Sequence, residues 1–532
     1  MATTTIAGSV SQKYSNPGTI LWLSLTFALL KVALHIITNI IAQHQGYGIF
    51  RDEMYYLICG QRLAFGYVDQ PPMVAVAARV TETLFGHDHM WSLRLIPALA
   101  GGAKVFLTGM LAWALGGGRR AAALAMLGVL IAGVYLGIDS FLSMNCFDPV
   151  FWMTCTLALI MIVQAERPEA VRNWWILLGV SAGLGLENKV SEVFFLVCVL
   201  VALLLTPQRR ILKSKWFGVA VLLMVLLALP NLLWQIHYHF PTLEWLRDVQ
   251  HSDKDVKLGP LEFLRAQWFA MNPATVLVWV SGVVWLLVSR AARPFRFLGV
   301  VYLLFLALMM AMHAKDYYLA PVYPVFFAAG GVAWFSWARE QAWKNALIGA
   351  YALALIWVGY RSIPFSIPVM PPERFVAYEK KMGFAPQDTE NHDATILPQF
   401  YADRFGWSDL VAQVNAIYHA LPPNEQAVTG IFAGNYGQAS AINLFGPKYG
   451  LPQAISGHQS YWIWGPQGYT GQEMILITGA TFDEVKKSYA SCSIAGVRNN
   501  PLAMPWEHGN IYLCYGRNKT YAADWNDFKH YY

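Results

Sequence analysis

Between about residue 18 and residue 361, runs of about 17 to 25 apolar residues recur with short polar breaks between them. They fall at 18–41, 91–115, 121–138, 147–164, 173–187, 190–206, 216–235, 273–289, 297–312, 318–337 and 344–361. A helix of about 20 apolar residues crosses a bilayer, and only helices and closed barrels satisfy their own backbone there. The pattern predicts a polytopic α-helical membrane protein with about 11 transmembrane helices. Composition agrees, because 13% charged residues is about half the roughly 25% of a soluble domain. So much apolar surface excludes disorder. Six cysteines in 532 residues exclude a disulfide scaffold. The net charge of +6 comes without a basic run interleaved with aromatics, so nucleic acid is not an expected partner.

The run Thr19–Ala42 is too long for a signal-peptide core and reads as a retained first helix. Lys and Arg set the orientation. Alternate loops carry Arg119-Arg120, Arg167 and Arg172, Arg209 to Lys215, Arg290 to Arg296, and Arg339 with Lys344. These 13 basic residues face only three acidic ones, Glu166, Glu169 and Glu340. The expected N-terminus is therefore cytoplasmic in the plasma (inner) membrane, with loops 42–90 and 236–272 outside. After Ile363, the Pro-rich segment PFSIPVMPPERF reads as a linker. From about 370 the chain turns mixed-polar. EMILITG and AVTGIFA read as strands, and WSDLVAQVNAIYHAL and TFDEVKKSYA as helices. The expected domains are a transmembrane unit, 1–362, and a C-terminal extracytoplasmic α/β domain, 363–532, long enough for its own core. Cys492 and Cys514 lie in this outer unit, either paired or as buried thiols. No internal repeat is present.

Ionisable residues near the outer ends of membrane helices are costly and so point to function. Four clusters stand there. The first is GYGIFRDEMYYLICGQRLAFGYVDQPP, with Arg51, Asp52, Glu53, Arg62, Asp69 and Gln70. MYYLICGQRLAF reads as an amphipathic helix on the membrane surface. Asp52 or Glu53 is a general base at that surface, or else a helix cap with Arg51 paired to Asp52. The second is FDPVF, where Asp148 before Pro149 reads equally as a cap. The third is GLENKVSEVFF, where Glu187, Lys189 and Glu192 form a self-neutralising set between two short helices. The fourth is MHAKDYYLAPVYP, where His313, Lys315, Tyr317 and Tyr318 are phosphate donors or an aromatic-belt anchor.

His87-Asp88-His89 and His237-Tyr238-His239 are loose ligand pairs, so no obligatory metal is expected and a divalent cation is left open. No phosphate-cradling Gly-rich loop of the Walker kind occurs.

Taken together, the clusters resemble glycosyltransferase family 39, within the class C membrane glycosyltransferases. This group includes protein O-mannosyltransferases and the lipid A aminoarabinose transferase. The likeness covers about residues 18–340. Arg51-Asp52-Glu53-x-Tyr55-Tyr56 is similar to the family's acidic pair in the first outer loop. Asp69-Gln70-Pro71-Pro72 is similar to its acidic-x-Pro-Pro element, in which some relatives carry a phosphate-contacting Lys at the Gln70 position. Phe147-Asp148-Pro149 and His313-x-Lys315-x-Tyr317-Tyr318-x-x-Pro321 match two later elements. The resemblance implies a sugar donor on polyprenyl phosphate and a hydroxyl acceptor on protein, lipid A-like lipid or glycan, outside the cytoplasm. It implies Asp52 as base with Glu53 as alternate or positioner. Lys315, His313, Tyr318, Arg265 or Arg62 would meet the leaving phosphate, with Lys189 and Asp148 beside them. Helices such as 54–65 would line a groove for the lipid tail.

A secondary transporter is the competing reading, with Asp52, Glu53, Asp148 and the 187–189 break as an ion path. Transporters show inverted repeats and broken helices at midplane, whereas these charges cluster at one face. A third reading is a non-enzymatic scaffold binding cell-wall polymer.

Overall fold

The computed structural model describes residues 17–252, 257–383 and 395–532. The polar segment 1–16 lies outside them. All eleven expected apolar runs are helical. Among the described residues, seven helices are long and apolar enough to cross a membrane singly, or nine if each of two bent pairs is one span. Those pairs turn by 111° after Leu204 and by 92° after Ala270. The 121–138 run breaks at Ala132, and Pro168–Asn188 is continuous through the run expected at 173–187. The break between Asn188 and Ser191 falls where the polar residues interrupt the pattern.

Helix α1 (Pro17–His44) packs along Leu95–Ala114. Tyr323–Ala338 packs against both Arg119–Ile131 and Val276–Val288. Small residues set the closest approach: a Cβ at Gly282 would overlap the Phe326 carbonyl, and one at Gly330 the Val278 carbonyl. Lys215–His237, by contrast, leaves Leu222, Leu226 and Leu233 more than half exposed, a face suited to lipid.

Inside the bundle, Lys31 on α1 and Lys104 both reach the Asp139 carboxylate, at 3.3 and 2.6 Å. All three are fully buried. A Cβ at Gly101 would meet that carboxylate at 2.7 Å, so glycine makes its room. Sequence reading did not single out these three residues.

The C-terminal unit is a five-stranded sheet in the order β2-β1-β3-β5-β4. Its strands are β1 (Gly430–Ala433), β2 (Ala454–Ile455), β3 (Glu473–Ile477), β4 (Tyr489–Arg498) and β5 (Gly509–Arg517). β1 runs parallel to β2 and β3, and β5 runs antiparallel to β3 and β4. Alternation assigns the faces. Ile431, Ala433, Ile475, Ile477 and Ile511 join one core, and Met474, Leu476, Tyr512 and Cys514 the other. Cys492 and Cys514 sit opposite each other on β4 and β5 and are disulfide-bonded. TFDEVKKSYA is helical only over Phe482–Lys486, capped by Thr481, and its end opens β4.

The second core belongs to the C-terminal unit alone, and the first is shared: Met54 to Cys59, Tyr67, Val74 and Ala78 pack in it with Trp407, Leu410, Ala439 and Ile442. One expectation is corrected: the 54–65 segment is not a surface helix. In α2 (Arg51–Gln61), every residue from Glu53 to Gly60 is buried. α3 (Met73–Phe85) covers one side and the Tyr436–Phe445 helix another. A helix apolar all round needs such cover, and a membrane surface supplies it on one side only.

Candidate functional site

α2 opens on two adjacent carboxylates. Glu53 faces inward. Its Oε1 accepts from Arg94 Nε at 2.9 Å and from the Leu142 amide at 2.8 Å. Its Oε2 accepts from Arg94 Nη2 at 2.6 Å and from the Phe50 amide at 3.0 Å. Burial works to raise this carboxyl, but Arg94 and these donors hold it below its ordinary range. Arg94 Nη1 also reaches Asn39 on α1 at 3.0 Å. Glu53 therefore ties the start of α2 and the segment around Leu142 to the bundle. With four donors on it and no exposure, it is not placed to accept a proton from substrate.

Asp52 faces outward, with 31% of its side chain exposed. Tyr436 Oη donates to its Oδ1 at 2.6 Å. Arg51 lies 3.7 Å from the same oxygen and 3.7 Å from Asp403. The Arg51 guanidinium is clasped between the Tyr436 and Trp506 rings, at 5.3 and 5.2 Å. Asp69 stands nearby. Tyr55 donates to it at 3.0 Å and to Ser460 at 2.8 Å, which fixes the first loop to the outer unit. Burial pushes Asp69 up to about 7.

The second, third and fourth clusters meet at Lys189. Its Nζ donates to Asn145 Oδ1 at 2.8 Å and lies 3.8 Å from Asp148. It sits over the Tyr318 ring at 4.6 Å and the Tyr317 ring at 5.4 Å. Asp148 also accepts from Ser191 at 3.1 Å. The first cluster adjoins them: the Tyr56 phenol, pushed far up first by burial, also feels Asp52, Asp69, Tyr436 and Tyr317. The four sequence clusters thus gather in one region: Asp52 acts electrostatically on both Tyr56 and Tyr317, and Tyr317 and Tyr318 frame the Lys189 ammonium.

Other expectations are corrected. Asp148 is no cap, because Ser143 caps Met144–Gln164 and Asp148 lies in its second turn. Glu187 and Glu192 do not neutralise Lys189: Glu187 accepts from the Asn231 amide, and Glu192 is buried near Cys155. Gln70 is fully buried with its amide nitrogen on Cys59 Sγ at 3.8 Å, which removes it from a donor's reach. Arg62 bonds Gln453 at 2.7 Å and stacks over Trp464, so it joins the outer unit. Arg265 is exposed on Pro260–Ala270 over its own Phe269. His313 is exposed at φ 49°, and the Lys315 ammonium has no hydrogen-bond partner among the described residues. Among those residues no three His, Cys, Asp or Glu gather as metal ligands, and His87 Nδ1 lies instead 3.5 Å from Glu82.

Tyr436, Asn145 and Arg94 are the residues missed. Arg94 and Lys104 carried a signal, a lone cation inside an apolar run. Tyr436 carried none, since only the fold brings it across 384 residues to Asp52.

Residues 69–234 match a family model described as dolichyl-phosphate-mannose-protein mannosyltransferase. The chain is 27% identical over 231 residues to lipid A galacturonosyltransferase RgtD of Rhizobium johnstonii, covering 42% of this chain and 46% of that one. It is 28% identical over 293 residues to undecaprenyl phosphate-alpha-4-amino-4-deoxy-L-arabinose arabinosyl transferase 1 of Pseudomonas fluorescens, covering 50% and 49%. It therefore spans about half the length of these relatives. The solved structure of ArnT from Cupriavidus metallidurans bound to undecaprenyl phosphate superposes with a TM-score of 0.59 at 14% identity, over 91% of this chain and 97% of that one. The arabinofuranosyltransferase AftD from Mycobacteria gives 0.50 at 11% identity, over 93% and 40%. This chain is an integral membrane protein with multiple helices, it shares the fold of ArnT over 91% of its length, and its residues 69–234 are similar to the mannosyltransferase family.

Proposed function

We propose that this protein moves a sugar from a polyprenyl-phosphate donor to a hydroxyl on an outer-leaflet lipid, with inversion at the anomeric carbon. The observation that carries the reading is a partly open Asp52 within electrostatic reach of Tyr317, one of the two tyrosines that frame the Lys189 ammonium. In the reaction, Asp52 takes the acceptor proton as the acceptor oxygen bonds to the anomeric carbon. The sugar–phosphate C–O bond breaks, and its electron pair leaves on the phosphate. The transition state carries oxocarbenium character. Lys189 and the tyrosine hydroxyls offset the charge that gathers on the phosphate. A phosphate leaves without a general acid, which fits a site holding one accessible base and one cation. Lys315, at the edge of the tyrosine turn, is a further donor to the phosphate.

The names of the relatives, a lipid A transferase and an undecaprenyl-phosphate-sugar transferase, favour lipid as the acceptor. The site lies outside the cytoplasm in this reading. The basic loops share the far end of the bundle, where Arg120 bonds Asn345 at 3.3 Å and Gln164 reaches the Ala114 carbonyl at 2.7 Å. The N-terminus is then cytoplasmic and the sheet unit periplasmic. The test is label transfer from radiolabelled polyprenyl-phosphate sugars to a membrane lipid extract, with wild type and Asp52→Asn in parallel. Label moving with wild type alone supports the reading. Equal transfer by both removes Asp52 as base. Solute uptake into proteoliposomes without transfer would move the assignment to a transporter.

A further inference from the structure

A cavity of about 480 Å³ opens in the outer unit, apart from the surface around Asp52. That volume is in the range of small-molecule sites, roughly 300–1,000 Å³. The Trp407–His419 helix walls one side with Asp409 and Gln413, and the β4–β5 connection walls the other with Arg498 and Asn499. Three hydrogen-bonding groups along it are unspent among the described residues. Gln413 and Asn499 make no side-chain hydrogen bond. Arg498 is 6% exposed, and its Nε has no partner although its Nη1 donates to the Glu507 carbonyl at 2.6 Å. The place is built. β4 shifts register between Ile494 and Gly496, and a Cβ at Gly496 would press on Gln413 Oε1 at 2.8 Å. A bulge of this kind re-aims side chains beside a site.

We infer that this cavity binds a saccharide. A sugar hydroxyl donates and accepts at once, as a carboxamide does, and Gln413 and Asn499 present two carboxamides beside a guanidinium N–H. The Asp409 and Glu507 carboxylates disfavour an anion there, and the lining of Trp407, Leu410 and Pro501 beside polar groups suits a ligand with both apolar and hydroxyl faces. The cavity is coupled to Asp52 by short links. Glu507 accepts from Asn435 at 3.0 Å, and Asn435 caps the helix whose next residue, Tyr436, bonds Asp52. Trp506, on the lining connection, stacks on Arg51. Resting on the proposed function, the saccharide is the sugar portion of the acceptor, held while its hydroxyl reaches Asp52.

The test uses the full chain in detergent micelles with N,N′-diacetylchitobiose as probe, read by saturation-transfer NMR. Wild type should transfer saturation, and Gln413→Ala/Asn499→Ala should lose it at least about tenfold with an unchanged thermal midpoint. Should that double variant fold poorly, Ala412→Trp fills the mouth from an exposed position and should give the same loss. No signal with wild type, or an undiminished one in the folded variants, overturns the site. Sugar transfer is measured separately. Probe binding without transfer retires the transferase reading and keeps the saccharide site, while transfer without probe binding retires the site alone.

Discussion

Asp52 and Glu53 are neighbours in sequence and opposite in circumstance. Glu53 is enclosed, holds four donors and is matched by Arg94, while Asp52 is partly open and held by one phenol. A carboxylate that is already saturated fixes structure, and one with spare lone pairs is free for chemistry. In the proposed reaction the less well satisfied member is the base, and the other holds the fold.

The contrast breaks most visibly at Asp52. Asp52→Asn should lower the transfer rate by about 10²–10⁴, the usual worth of a positioned base, and leave the thermal midpoint alone. A midpoint that falls with the rate would give Asp52 the structural role instead. Glu53→Gln should do the reverse. It leaves Arg94 buried without its counter-charge, at a cost of about 3–5 kcal/mol, seen as a lowered unfolding midpoint in detergent. Activity per folded molecule should survive better than in Asp52→Asn, and equal loss in both would erase the distinction.

The surface also titrates. Asp69 stands near 7 when folded against 3.8 for a free carboxyl, so the folded chain keeps a proton that the unfolded chain gives up. Its contribution to stability is fully present below about pH 4 and is lost as pH rises through about 7, no faster than about 1.4 kcal/mol per pH unit. Midpoints recorded from pH 4.5 to 8 should show this slope in wild type and a flatter profile in Asp69→Asn. The smallest effect is expected at Tyr436. Removing its hydroxyl with Tyr436→Phe should cost about 1 kcal/mol, a rate loss of several-fold, with donor KM held. No change in rate would mean that the phenol only packs.

How much of this was legible in sequence follows from distance along the chain. The helices, the break at Lys189 and the strands in EMILITG show in local periodicity, which needs no tertiary partner. Asp52, Lys189, Tyr317 and Tyr318 were legible as charge and hydroxyl set against apolar runs. Their meeting was not, because it depends on how the helix ends come together. Three of the failures share one cause. Gln70, Arg62 and the 54–65 segment were read as facing solvent or lipid, and the outer unit covers that region. Lys31, Lys104 and Asp139 look like three separate costs in sequence and are one ion-paired set in the fold, two ammonium groups sharing one carboxylate.

The Asp52–Tyr436 bond spans 384 residues, which has a consequence for synthesis. At roughly 5–20 residues per second, the first loop leaves the ribosome about 20–80 seconds before Tyr436 exists. Through that interval the apolar residues of α2 that the Tyr436–Phe445 helix will cover have no such cover. Chains stopped before residue 436 would insert their helices and still present those residues to proteases and chaperones. Completion of the C-terminal sheet is in this sense a quality checkpoint: it closes the first loop and finishes the Asp52 site in the same event.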